Sequence, residues 1–190
     1  MRAKVACLCI GLAITGWSTT LPAHHSIAMV EIGAPEWVKG TVTEYHMSDP
    51  HVMLKLQVQG KSGKPEIWNI EGPNMTRLRR MGAGRDFLKA GDVIEVCGFH
   101  LKQPLTKPDF VHGQVLVMPD GHMRLFGPYG RLTNCIRPGD SAEKWVAFLQ
   151  KDPLAMPAWC DSHKYVQAAS VAPAGFVANV EQLMGNPCRL

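Results

Sequence analysis

From residue 37 to residue 126 the apolar positions recur with a period of two, the spacing of half-buried β-strands. His51–Gln59 is the clearest case. Val52, Leu54, Leu56 and Val58 take one face, while Met53, Lys55, Gln57 and Gln59 take the other. Before it, Trp37–Tyr45 sets Val38 and Val42 against Thr41 and Thr43, and the turn Ser48-Asp49-Pro50 ends that strand. Gly60-Lys61-Ser62-Gly63 reads as a tight turn into a third strand, Glu66–Glu71. The texture then changes. Asn74 caps a short helix carrying Met75, Leu78 and Met81, with Arg77, Arg79 and Arg80 on its wet side and Gly82 at its end. Arg85–Leu88 adds a further helical turn. Val93–Phe99 and Phe110–Met118 are the fourth and fifth strands, and His122–Phe126 pairs back as a sixth after Pro119-Asp120-Gly121.

Three strands, a helix, then two or three strands is the order of an OB-like antiparallel barrel of five to six strands, in which a helix plugs one end. An antiparallel sandwich is the main alternative. The first three strands are joined by turns too short for a parallel crossover. Beyond Phe126 the pattern turns loop-rich. Asp140-Ser141-Ala142-Glu143 resembles a capping box before a helix with Trp145, Val146 and Leu149 on one face. Phe176, Val180 and Leu183 mark a second short helix, stopped by Gly185 and Pro187. Pro153, Pro157 and Pro173 argue against regular structure between the two. The chain thus divides into a segment at 24–36, a barrel at 37–126 and an extension at 127–190 that packs on the barrel.

Residues 1–23 read as a signal peptide. Arg2 and Lys4 precede an apolar run from Val5 to Ile14, too short for a bilayer span, and Ala23 offers the cleavage point. Export to the periplasm is the expectation, with no stable membrane span after cleavage. The net charge of +4 falls to +2 when Arg2 and Lys4 go, so no electrostatic footprint for nucleic acid remains. Cys97, Cys135, Cys160 and Cys188 then form an even set in an oxidising compartment, which points to two disulfides with three connectivities open. Zinc is the rival, but no pair has the close Cys-x₂₋₄-Cys spacing that such sites favour.

These residues resemble the DUF6152 family of small exported bacterial proteins. The resemblance is carried by His24-His25-Ser26, Lys39-Gly40-Thr41-Val42, Asp49-Pro50-His51-Val52, Trp68-Asn69-Ile70-Glu71-Gly72, Leu78-Arg79-Arg80-Met81-Gly82 and Gly91-Asp92-Val93. It runs from about residue 24 to residue 126. Ile27 stands where the family usually has Phe, and Asp49 where it has Asn. The family carries no established activity, so the resemblance implies a compartment and a fold rather than a chemistry.

Cleavage after Ala23 would give His24 a free α-amine beside its imidazole, a chelate for Cu(II) or another transition metal, with His25 as a further nitrogen. His51, at a turn-to-strand junction, is the leading third ligand, ahead of His46, His100, His112 and His122. Glu71 is expected to pair with Arg79 or Arg80. No G-x-S-x-G, HExxH, Walker loop or CxxC is present, and no catalytic residue is assigned. The reading is a non-enzymatic exported binding module for a metal ion or small molecule, with copper as the candidate cofactor. An accessory subunit that binds an exported redox enzyme is the alternative, and an enzyme of unrecognised type is a third.

Overall fold

A computed structural model describes residues 27–127, 131–163 and 172–188. Residues 1–23, read above as a signal peptide, lie outside those residues, and so do His24 and His25. Six strands form one sheet: β1 (Val30–His46), β2 (Met53–Gln59), β3 (Pro65–Glu71), β4 (Val93–Leu101), β5 (Phe110–Val117) and β6 (Met123–Leu125). Their order is β3-β2-β1-β4-β5-β6, and an additional parallel pairing of β3 with β5 closes the first five into a barrel. That pairing is short, with Asn69 opposite Phe110, Ile70 opposite Val111 and Glu71 opposite His112. All other pairings are antiparallel. The architecture is an OB-like barrel with a helical C-terminal extension.

The alternation in β2 does what its pattern predicts. Leu54 and Leu56 are fully buried, and so is Ile70, the cross-strand partner of Leu54. Helix α1 (Met75–Arg80) follows the end of β3, with Asn74 accepting from the Arg77 amide at 2.8 Å and Leu78 and Met81 buried in the core. Burying Leu78 alone is worth about 1.5–3 kcal/mol. Segment 85–88 is a turn rather than the expected helical turn, and it is tied by a hydrogen bond from the Phe87 amide to the Gly84 carbonyl.

Strand β1 begins at Val30, seven residues ahead of the expected Trp37. Its early part is paired with β4 alone, where Val30 faces Leu101 and Pro35 faces Phe99 across an irregularity in register. A period-two reading from Trp37 onward misses it because that irregularity and Pro35 break the alternation. The extension adds three helices, α2 (Ala142–Lys151), α3 (Ala155–His163) and α4 (Phe176–Leu183), where two were expected. Pro157 is tolerated because it falls in the first turn of α3, where its missing N–H removes no intrahelical bond. Ser141 caps α2 by accepting from the Lys144 amide.

Trp145, Trp159 and Phe148 make the extension's core, with the Trp145 ring 5.7 Å from Phe148 and 6.0 Å from Trp159. Four ties join it to the barrel. Cys97 in β4 is bonded to Cys135, Arg137 reaches Glu95 at 2.9 Å, and the Asn134 amide donates to the Ile32 carbonyl. At the far side Arg124 of β6 lies 3.3 Å from the buried Asp152, whose carboxylate also accepts from the Leu125 amide at 3.0 Å. The second disulfide, Cys160–Cys188, lies within the extension.

Candidate functional site

The loop between β1 and β2 is stitched to the end of β3. Asp49 accepts from the Met75 amide at 3.2 Å, the Val52 amide donates to the Pro73 carbonyl at 2.9 Å, and the Gly72 amide donates to the Val52 carbonyl at 2.7 Å. These bonds set His51 over Glu71. Its Nδ1 contacts Glu71 Oε1, while the other carboxylate oxygen lies 3.7 Å from His112 Nδ1. His112 arrives from β5 because the parallel closure places it directly opposite Glu71. The three side chains grade from surface to interior: His51 is 32 % exposed, Glu71 10 % and His112 3 %. Only His51 is positioned to meet a ligand from solvent.

The carboxylate has a defined chemical effect on His51. A carboxylate accepts and does not donate when ionised, so the contact places a proton on Nδ1 of His51. A histidine that ligates a metal through Nε2 carries a proton at that same position, with a carboxylate steadying that side of the ring. With Gly72, Pro73, Asn74 and Arg77, the three residues enclose a cavity of about 90 Å³, room for an ion and a few waters rather than an organic molecule.

Two parts of this cluster depart from the sequence-based expectation. Glu71 is bracketed by His51 and His112 rather than by Arg79 or Arg80, both of which are exposed on the wet face of α1. Arg77, placed on that wet face by helical periodicity, turns toward the cavity instead. Its Nε is buried, with no hydrogen-bond partner among the described residues. Burial pulls its guanidinium below the usual value, and the Asp152 carboxylate opposes that shift. Nothing in the sequence pairs His112 with Glu71, because they are brought together by a parallel contact between strands 41 residues apart.

His46, His100 and His122 each sit on a carboxylate as well, and none of the three lines this cavity. His46 lies 2.9 Å from Glu44, His100 2.8 Å from Glu36 and His122 2.9 Å from Asp120. The His46 ring and then Lys55 hold the exposed Glu44 carboxylate below its ordinary range, and His122 does the same to Asp120. Among the described residues no group of three or more His, Cys, Asp or Glu side chains is placed to hold a metal ion. His51, with Glu71 behind it, is therefore a single imidazole among the described residues, and a metal held there would need donors from outside them.

No curated protein matches the chain in sequence. Two solved structures resemble part of it, both crystal forms of Rim1, a mitochondrial single-stranded DNA binding protein from S. cerevisiae. The first is 10 % identical, with a TM-score of 0.36, over 45 % of this chain and 91 % of that one. The second is 11 % identical, with a TM-score of 0.34, over 45 % and 93 %. Such values carry no functional weight. A family model described as a family of unknown function, DUF6152, matches residues 13–107, half of the 190-residue chain, and this protein belongs to that family.

Proposed function

We propose that the protein is an exported, periplasmic binding module that holds a transition-metal ion, copper foremost, between His51 and the terminal pair His24 and His25. The observation that carries this reading is the contact from His51 Nδ1 to the nearly buried Glu71, itself backed by His112. It places a proton on Nδ1 at a partly exposed position, as ligation through Nε2 would require, and a carboxylate behind a ligand imidazole raises its basicity. Two disulfides support an oxidising compartment.

Chain length is compatible with the assembly. Pro35, Phe99, His112 and Glu71 form one cross-strand row, three strand spacings or about 14 Å along the curved barrel wall. Val30 faces Leu101, two residues along β4 from that row, so it lies no more than roughly 16 Å from Glu71. His24 stands six residues before Val30, and three of those form a 3-10 turn, so it reaches about 16 Å from Val30.

Protein beginning at His24 is titrated with Cu(II) by calorimetry, beside the free peptide HHSIAMV. The protein is expected to bind at least about tenfold more tightly than the peptide. Glu71→Gln should weaken binding by about 10–100-fold, and His51→Ala should reduce it to the peptide's level. Equal affinities for protein and peptide would sink a site built by the fold.

A further inference from the structure

At the end of the barrel away from α1, a cavity of about 730 Å³ opens between the first half of β1, the β2–β3 hairpin and the loop at 102–109. That volume lies within the range of small-molecule sites. Trp68 stands at its inner wall. It is the cross-strand partner of Leu56, so it shares the core-facing side, yet it is half-buried where Leu56 is fully buried. The strand register thus turns a large indole inward at the place where the barrel is open.

The surroundings hold this ring and furnish polar groups around it. The His100 ring lies 6.1 Å from Trp68 at 59°. It is fixed at both nitrogens, by Glu36 at 2.8 Å and by the Lys107 carbonyl at 3.2 Å. Glu66 folds over the hairpin at Gly60, where a Cβ would come within 2.0 Å of its carboxylate oxygen, so the glycine makes room for that carboxylate beside the cavity. Four acidic side chains and three lysines line the cavity. Charges of both signs in near balance give no field that selects an ion, whereas together they offer acceptors and donors at short range.

A ligand that suits such a wall has an apolar C–H face to lie on an indole and a ring of hydroxyls that both donate and accept. A pyranose has both. We propose that the barrel mouth binds a short neutral oligosaccharide, with Trp68 as the stacking platform and Glu36, Glu66 and Lys102 as hydrogen-bond partners. This site is separate from the His51 cavity and does not depend on the metal reading.

The probes are cellotetraose, maltotetraose and tetra-N-acetylchitotetraose, titrated into the intact disulfide-bonded protein by calorimetry. At least one is expected to bind with a Kd of about 1 mM or tighter. Trp68→Ala should cost about tenfold or more, Trp68→Phe should keep most of the affinity, and His51→Ala should leave it unchanged. Glu66 is exposed, so Glu66→Ala tests the same site without touching the core, with an expected loss of about threefold or more. Failure of all three sugars to bind would overturn the proposal. So would binding indifferent to both Trp68→Ala and Glu66→Ala, or a thymidine oligonucleotide binding at Trp68 where the sugars do not.

Discussion

Individual side chains in this protein take their chemistry from what the backbone packs against them. Tyr45 is an example outside the His51 cavity. Its hydroxyl donates to the Gly84 carbonyl at 3.3 Å, its ring lies 6.4 Å from Phe87, and burial pushes its pKa up to about 12. The sign follows from linkage. The folded state keeps the phenol proton where the unfolded state, near 10, gives it up, so Tyr45's contribution is intact below pH 10 and is lost as pH rises toward 12. An ultraviolet titration should show one late-ionising tyrosine, and Tyr45→Phe should remove that phase and flatten the alkaline fall in stability. Residue chemistry was unevenly legible in the sequence. His51 could be singled out because a turn followed by a strand places a side chain at a barrel's end. Glu71's partners could not, since one of them comes from a strand whose approach depends on closure. Arg77 was misplaced because helical periodicity says which residues share a face but not that a loop from β1–β2 will roof one of them.

At the scale of elements, the strands with clean alternation were legible and the joints between them were not. β2 and β3 follow from period two, and α1 follows from Asn74, Leu78 and Gly82. The early half of β1 and helix α3 escape because a proline in each suggests a break: pairing with β4 carries the strand through Pro35, and Pro157 falls in the first turn of its helix. The closure of the barrel relies on a further local feature. A Cβ on Gly72 would sit 2.4 Å from the ring of the fully buried Phe126, at the point where β3 ends and Glu71 is set. Gly72→Ala should therefore destabilise the fold by about 1–3 kcal/mol, read as a lower urea midpoint. Because Phe126 must shift beneath β3, the proposed metal reading also expects the same variant, in protein beginning at His24, to bind Cu(II) more weakly.

For the whole molecule, the four ties between barrel and extension make the C-terminal third part of the barrel's support. The Cys97–Cys135 bridge spans 38 residues and joins a core strand to the start of the extension. Replacing both cysteines with serine should cost about 4 kcal/mol by loop-closure entropy, seen as a fall in urea midpoint with a somewhat steeper slope as the uncrosslinked chain exposes more surface. Cysteine number and compartment make two bridges legible from the sequence, but the pairing needs the fold, since three arrangements of four cysteines are equally open to spacing alone. Arg137 illustrates the same dependence. Its guanidinium stacks 4.0 Å from the Trp37 ring while reaching Glu95, contacts made possible by the bridge two residues before it.

The bond from Asn134 to the Ile32 carbonyl crosses 102 residues of chain, and the parallel seam cannot form before Val111 has been made. In kinetic terms, the first strand is the earliest part to emerge and among the last to be secured. A topology weighted this far toward distant contacts folds on the slow side, in milliseconds to seconds. The start of β1 thus stays without its Asn134 tie for as long as the chain beyond the barrel is withheld.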